Sequence, residues 1–317
     1  MRLTPLALAL SASLLLSACG ASDTPADGVN AAPADAVAAA ADTTAPAADE
    51  TAARNAHLDP MDAVLAGDWR DPANTPRDAW RHPRETLAFF GVGPSQRIVE
   101  ISPGGGWYTE ILAPLARGKG SYTGVINDPA KAGSERATEY YAKNNQKLRD
   151  KLATRADVYG NATLLEIDPK APVIGEPGSA DVVLTFRNVH NWVNDGSEAA
   201  MFKAFFDALR PGGVLGVVEH RAAAGKTLEE VKDSGYLPED YVIGLATAAG
   251  FVLEEKSEIN ANPADTKDHP NGVWTLPPSN NHEEADKAKY AAIGESDRMT
   301  LRFVKPQGEA AAETPAQ

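Results

Sequence analysis

Glu100 precedes a run of three glycines, Gly104, Gly105 and Gly106, in the stretch RIVEISPGGGWYTEILAPLA, residues 97–116. The glycines lack the Cβ atoms that would keep a backbone away from a bound nucleotide-like ligand. A carboxylate ahead of them suits a cationic amine better than a pyrophosphate, because two anions repel. The dinucleotide pattern G-x-G-x-x-G is met at Gly104 and Gly106, but Thr109 stands at its third glycine. There is no phosphate-cradling P-loop sequence. A tight strand-to-helix turn, which also favours Gly and Pro, is the plain alternative for this loop.

A second reactive group lies in DVVLTFRNVHNWVND, residues 181–195, where Arg187, Asn188, His190 and Asn191 follow an apolar run. Imidazole ionises near neutrality, which suits His190 to general-base work. His190 and Trp192 packing against a ligand and a helix is the other reading, and Asn188 could equally bond a buried carbonyl. Glu219, His220 and Arg221 end a later apolar run. An arginine there can fork onto a carboxylate or phosphate substrate, or form a surface salt bridge. The stretch 260–281 carries Asp265, Asp268, His269 and Trp274. A loop of that length reads as a lid over a substrate pocket. Adjacent Asp268 and His269, without a spaced third ligand, make no metal site. No nucleophile elbow, H-E-x-x-H or EF-hand loop occurs.

The elements that must position these residues alternate. Helical patterns at 59–67 and 76–90 precede strands at 97–101, 121–127, 162–167, 181–186, 214–219, 251–258 and 297–304. Helical patterns at about 105–116, 130–152, 197–209, 238–249 and 283–293 fall between them. Strand–helix alternation predicts an α/β fold, a doubly wound, seven-stranded, mostly parallel sheet with helices on both faces. Ligands then bind at the carboxyl ends of the strands.

With that frame, the stretch 97–116 resembles motif I of the class I S-adenosylmethionine (SAM)-dependent methyltransferases, acid-x-G-x-G-x-G. Glu100, Ser102, Gly104 and Gly106 stand at its four positions, with Ser102 in place of the first glycine. Leu209-Arg210-Pro211-Gly212-Gly213 resembles the turn before strand five of that family, and Asp181–Asp195 resembles its strand-four segment. The resemblance covers 90–258 well and 57–89 and 259–305 more loosely. It implies the Rossmann-like class I methyltransferase fold, with the seventh strand antiparallel, and SAM as cofactor. It implies that Glu100 meets the amino-acid amine, with Ser102, Gly104, Gly105 and Gly106 along the ligand backbone. Asp128 would take the ribose hydroxyls, although TGVIND puts Ile126 or Asn127 at the usual place. Asp168 would take the adenine amine, or cap a turn before Pro169. Arg187, Asn188 and His190 would lie at the methyl group as catalytic residues. His220, Arg221, His269 and Trp274 would face the substrate.

The implied activity is methyl transfer from SAM to a small or amphiphilic acceptor. The alternative is a lipid-anchored periplasmic binding protein on a methyltransferase fold without turnover. A net charge of −14 removes the electrostatic term for nucleic-acid binding. With 317 residues, 43% hydrophobic, the chain can bury one large domain or two small ones.

Met1–Arg2 and the apolar run Leu6–Leu16 read as an export signal too short to span a membrane. The run Leu16-Ser17-Ala18-Cys19 resembles a bacterial lipoprotein signal, with cleavage before Cys19 and lipid on that residue, the chain's one cysteine. The predicted organisation is a signal peptide at 1–18 and an Ala/Pro-rich tether at 19–56, too poor in large apolar side chains to order itself. A methyltransferase-like domain follows at 57–306, with N-terminal helices at 57–90 and a lid-like insertion at 259–296, then a tail at 307–317. The protein is expected on the periplasmic face of the outer membrane, touching the membrane through the anchor alone. Its oligomeric state is not written in the sequence.

Overall fold

A computed structural model describes residues 59–307. The expected signal peptide, Cys19, the tether and the tail beyond Gln307 lie outside the described residues. The strands are β1 Arg97–Ile101, β2 Ser121–Asn127, β3 Ala162–Ile167, β4 Ala180–Phe186, β5 Leu209–His220, β6 Val252–Ser257 and β7 Arg298–Val304. They form one seven-stranded sheet in the order β3-β2-β1-β4-β5-β7-β6. β7 runs antiparallel to both β5 and β6, and β3, β2, β1, β4 and β5 are parallel neighbours. This is the expected doubly wound sheet, and its strand order reverses between β1 and β4, where such folds open a ligand crevice. No helix among the described residues is long and apolar enough to cross a membrane.

Period-two alternation builds a core on each face. Val99, Ile101, Val183, Leu215, Val217 and Leu301 point one way, into a cluster with Phe202 and Phe205 of helix Glu198–Ala208 and Val242 and Ala246 of helix Glu239–Ala248. Ile98, Tyr122, Val182, Leu184 and Val218 point the other way, against Ile111 and Leu112 of helix Thr109–Ala116. Glu100 shares this second face and is buried, an ionisable side chain in an otherwise apolar layer.

Several boundaries differ from the sequence reading. The helix expected over 105–116 begins at Thr109, because Gly104 and Gly106 adopt φ +60° and +80° and hold the chain in turns. The stretch Leu209–Gly213 is not a free turn. Leu209 pairs with Ala180, a register shift follows, and Val214 pairs with Val182. Helix Glu135–Thr154 starts late, at Ser134, whose hydroxyl accepts from Ala137 N at 3.2 Å. The pattern over 76–90 is broken into helices Asp78–Arg81 and Pro83–Phe89 by His82, which takes φ 41°. Helix Val189–Asp195 follows β4 directly, and the 3-10 turn Gly272–Thr275 lies within the stretch 260–281.

The N-terminal helices are tied to the sheet by Glu110, which is buried in the first turn of helix Thr109–Ala116. Its carboxylate accepts from Asn74 Nδ2 at 2.9 Å and pairs with Lys151, and its carbonyl accepts from Trp69 Nε1 at 2.9 Å. Trp107 Nε1 donates to Asn74 O at 2.9 Å. These bonds decide where the segment 74–81 meets the sheet edge.

Candidate functional site

Two adjoining cavities open at the carboxyl ends of β1, β2, β4 and β5. One, about 430 Å³, is lined by the loop Ser102–Gly105, by Arg77, Arg81 and Trp107, by Phe186–Asn188, His190 and His220, and by Val273, Trp274 and Pro277–Ser279. The other, about 460 Å³, is lined by Ser102, Gly104, Ile126, Asn127, Tyr140, Tyr141 and Asn145. Asn188 and Asn191 border both.

The glycine loop divides its labour. A Cβ on Gly104 or Gly105 would meet no atom within 4 Å, so both backbones face open space. A Cβ on Gly106 would lie 3.0 Å from Leu148 Cδ1 and 3.1 Å from Lys151 Cδ, so this glycine admits helix Glu135–Thr154 rather than a ligand. Ser102 takes the left-handed φ of 49°, a region costly for residues with a Cβ, while its N–H continues the sheet by donating to Val125 O at 2.8 Å.

Glu100 was expected to present its carboxylate to an amine. One carboxylate oxygen, Oε2, accepts from Tyr122 Oη at 2.7 Å and Thr109 Oγ1 at 3.0 Å beneath the loop, while the residue lines the first cavity. Burial pushes its pKa up to about 7, against the pull of the two hydroxyls. Gly124, in register with Glu100, makes the room, since a Cβ there would come within 3.1 Å of Tyr122 Oη. Thr109, which spoils the dinucleotide pattern, is therefore a partner of the buried carboxyl.

Asp128 and Asp168 are corrected as well. Asp128 caps a 3-10 turn by accepting from Ala130 N at 2.8 Å, and Asn127, one residue earlier, lines the cavity in its place. Asp168 caps the turn at Pro169 by accepting from Lys170 N at 2.9 Å, and it borders neither cavity.

At the end of β4, Asn188 donates Nδ2 to Ile101 O at 3.0 Å and to Thr185 Oγ1 at 3.2 Å, tying β4 to β1. Those bonds position Asn188, which borders both cavities. His190 is buried, and its Nδ1 lies 3.0 Å from Glu219 Oε1. Glu219 also accepts from His220 N at 2.8 Å and, through Oε2, from Val189 N at 2.6 Å. A carboxylate so supplied is an acceptor, so His190 Nδ1 is the donor of this bond, and in the neutral imidazole Nε2 carries the lone pair. Among the described residues no group bonds that Nε2. His220 also lines the first cavity, with Nδ1 2.5 Å from Ser296 Oγ. Burial, then the charges of His190, Arg187, Arg298 and Arg81, hold its pKa well below the usual histidine range. Donor atoms of His190, Glu219 and His220 lie within 4.8 Å of one another. The neighbouring arginines and the already filled Glu219 carboxylate make this set a poor fit to a metal ion.

Those arginines converge on Glu295. Arg77 Nε donates to Oε1 at 2.8 Å, Arg81 Nε to Oε2 at 3.0 Å, Arg298 Nη1 to Oε2 at 3.2 Å and Arg187 Nη1 to Oε2 at 3.4 Å. Burial alone would raise the Glu295 pKa, but the arginine charges outweigh it and hold it at about 2. Arg187 is kept at φ 62° by its N–H bond to Val218 O at 2.7 Å.

Two substrate candidates stand elsewhere. Arg221 is bound to Glu258 at 2.7 Å and Asp297 at 3.0 Å, which is the salt-bridge reading. His269 Nε2 lies 2.8 Å from Asp265 Oδ1, in a knot that also takes Tyr236 Oη at 2.9 Å. Trp274 does reach the cavity, its ring centroid 6.0 Å from that of His190. Of the residues not singled out from sequence, Arg77 and Arg81 had one local signal, two cations four apart beside Trp80. Glu295 had none.

No family model and no curated protein matches the chain. Solved structures of similar shape include a SAM-dependent methyltransferase from Aquifex aeolicus, 13% identical over 78% of this chain and 99% of that one, TM-score 0.46. A SAM-dependent methyltransferase from Mesorhizobium loti is 16% identical over 71% and 96%, TM-score 0.41. A glycopeptide N-methyltransferase in complex with SAM is 15% identical over 71% and 87%, TM-score 0.44. At this distance the chain's own residues, not these likenesses, carry the functional reading.

Proposed function

We propose that the chain binds SAM across the two cavities and transfers its methyl group to a small acceptor. The observation that carries this reading is the position of His190 Nε2, without a protein partner in a cavity that the open glycine loop also borders. The residues fit the cofactor. Gly104 and Gly105 offer backbone over open space, and Asn127 and Asn191 offer neutral amides where ribose hydroxyls would lie. SAM, when bound, supplies an electrophilic methyl group on a sulfonium.

The chain's own contribution is position and one proton. Asn188 locks the ends of β1 and β4 together, so the loop and His190 keep a constant separation. Glu219 fixes the His190 tautomer, leaving Nε2 to accept the proton the acceptor loses. Trp107, Tyr108, Phe186 and Trp274 wall the first cavity and limit water.

The test is a titration of the full chain with S-adenosylhomocysteine, following the melting temperature. Ligand at ~100 times its Kd adds about 2.7 kcal/mol to stability. No shift at saturating ligand overturns the reading. Gly104→Val, which places two methyl groups into the cavity at a left-handed φ, should abolish the shift. His190→Ala should keep the shift and slow methyl transfer by about 10²–10⁴-fold. Asn127 in place of a ribose-binding acid favours the second reading, binding without turnover. A ligand shift with no methyl transfer from SAM to any pooled small-molecule acceptor would support it. We also propose lipid attachment at Cys19 and an envelope location. Cys19→Ala should move the protein from the membrane fraction to the soluble one.

A further inference from the structure

At the first cavity, three lining guanidinium groups and Arg298 behind them share one carboxylate, Glu295. Arg298 is consumed structurally, since it also donates to Ser296 O at 3.1 Å and to Trp80 O. The other three are under-used. Arg77 bonds Glu295 through Nε alone and Arg187 through Nη1 alone, and both side chains are about a quarter exposed, at 24% and 22%. Arg81 is buried over the Trp107 ring, its Cζ 4.7 Å from the centroid, and its Nη2 has no hydrogen-bond partner. Burial and the charge of Arg187 lower the Arg81 pKa well below its usual value, the mark of a cation short of counter-charge. The other acid lining this cavity, Glu100, has its Oε2 taken by two hydroxyls. Positive charge is thus concentrated here in a chain of net charge −14.

We propose that Arg77, Arg81 and Arg187 form an oxyanion-binding wall, and that the methyl acceptor is a small anionic molecule carrying a carboxylate or phosphate. Guanidinium groups are suited to forked bonds with such oxygens. This deepens the methyl-transfer reading and rests on it. The cofactor brings a carboxylate of its own, but also an ammonium and a sulfonium, so its net charge is positive. It cannot by itself neutralise the wall, whereas an anionic acceptor can. Bound there, the acceptor lies beside His190, with Trp107, Tyr108 and Phe186 to cover its apolar part.

The experiment uses the full chain and three probes, with folding checked by circular dichroism. Benzoate and inorganic phosphate supply the oxyanion, and benzamide is the neutral match to benzoate. Calorimetric titration in the presence of saturating S-adenosylhomocysteine should show saturable benzoate and phosphate binding and none for benzamide. Arg77→Gln and Arg187→Gln should each weaken it about tenfold or more, one charged hydrogen bond's worth. Arg77→Gln, at the more open position, keeps the test valid if Arg187→Gln does not fold. Absence of saturable oxyanion binding up to about 10 mM, or binding unchanged in the folded variants, overturns the proposal.

The proposal is also overturned if Arg187→Gln weakens S-adenosylhomocysteine but not 5′-methylthioadenosine, which lacks the carboxylate, because the wall then serves the cofactor. The same titrations separate the two readings. Arginine-dependent benzoate binding in a chain that ignores S-adenosylhomocysteine removes the methyl-transfer reading and leaves the oxyanion site. Cofactor binding without oxyanion binding does the reverse.

Discussion

Two buried carboxyl groups face the same cavity under opposite conditions. Glu100, beneath the glycine loop, is held by hydroxyls alone, and burial raises its pKa to about 7. Glu295, in the far wall, is equally buried, yet four arginines keep its pKa at about 2. Burial costs both the same kind of desolvation, so the difference lies in the partners. One end of the cavity is electrostatically quiet and the other strongly cationic. A cavity polarised in this way orients a ligand that has a neutral end and an anionic one.

The sharpest way to break the comparison is Glu295→Gln. It leaves four guanidinium groups facing one another without their anion, and removing one partner of a buried ionic cluster costs about 3–5 kcal/mol. The denaturant midpoint at pH 7 should fall accordingly, with part of the loss restored by added phosphate. An unchanged midpoint would show that the arginines are not held by Glu295.

Glu100→Gln should act in the opposite sense and depend on pH. The stability carried by protonated Glu100 is complete below its ordinary pKa of 4.5 and is lost as pH rises through about 7. The shift corresponds to about 3 kcal/mol. The glutamine variant should therefore match the wild type near pH 4.5 and exceed it at pH 8, as read from melting temperatures. Parallel pH profiles would mean that Glu100 is ionised in the fold. Glu295, with its lowered pKa, contributes above 4.5 and loses that contribution as pH falls through about 2.

The smallest effect is expected from Tyr122→Phe, which removes the shorter of the two hydroxyl bonds to Glu100. A lost neutral-donor bond costs about 1 kcal/mol. Because that bond favours the ionised carboxyl, its removal should move the Glu100 transition to still higher pH. A transition that moves down instead would mean that Tyr122 opposes ionisation.

Much of this molecule was legible as sequence, and for a common reason. Gly104 and Gly106 permit the left-handed turns they adopt, and period-two apolar runs select strands. Those local rules placed the seven strands, the glycine loop and the reactive group 187–191 at one sheet edge. They failed where a turn or a neighbouring side chain competes with a ligand for the same polar group, and where a side chain's partner lies far along the chain. Asp128, Asp168, Arg221 and His269 have suitable chemistry and plausible positions. Asp128 and Asp168 are claimed by backbone N–H groups two residues on, His269 by Asp265 four residues before it, and Arg221 by Asp297 far along the chain.

The polarity of the cavity belongs to this second class. Glu219 fixes the His190 tautomer from 29 residues away, and Arg81 meets Glu295 across 214. Backbone conformation is set mainly by a residue and its neighbours. Charge and protonation are set by whatever the fold packs within a few ångströms, so the sequence determined the loop and the sheet that carries it. Which carboxyl is pushed up and which is held down, which histidine nitrogen faces the cavity and which arginines have unused donors were decided only by the tertiary structure.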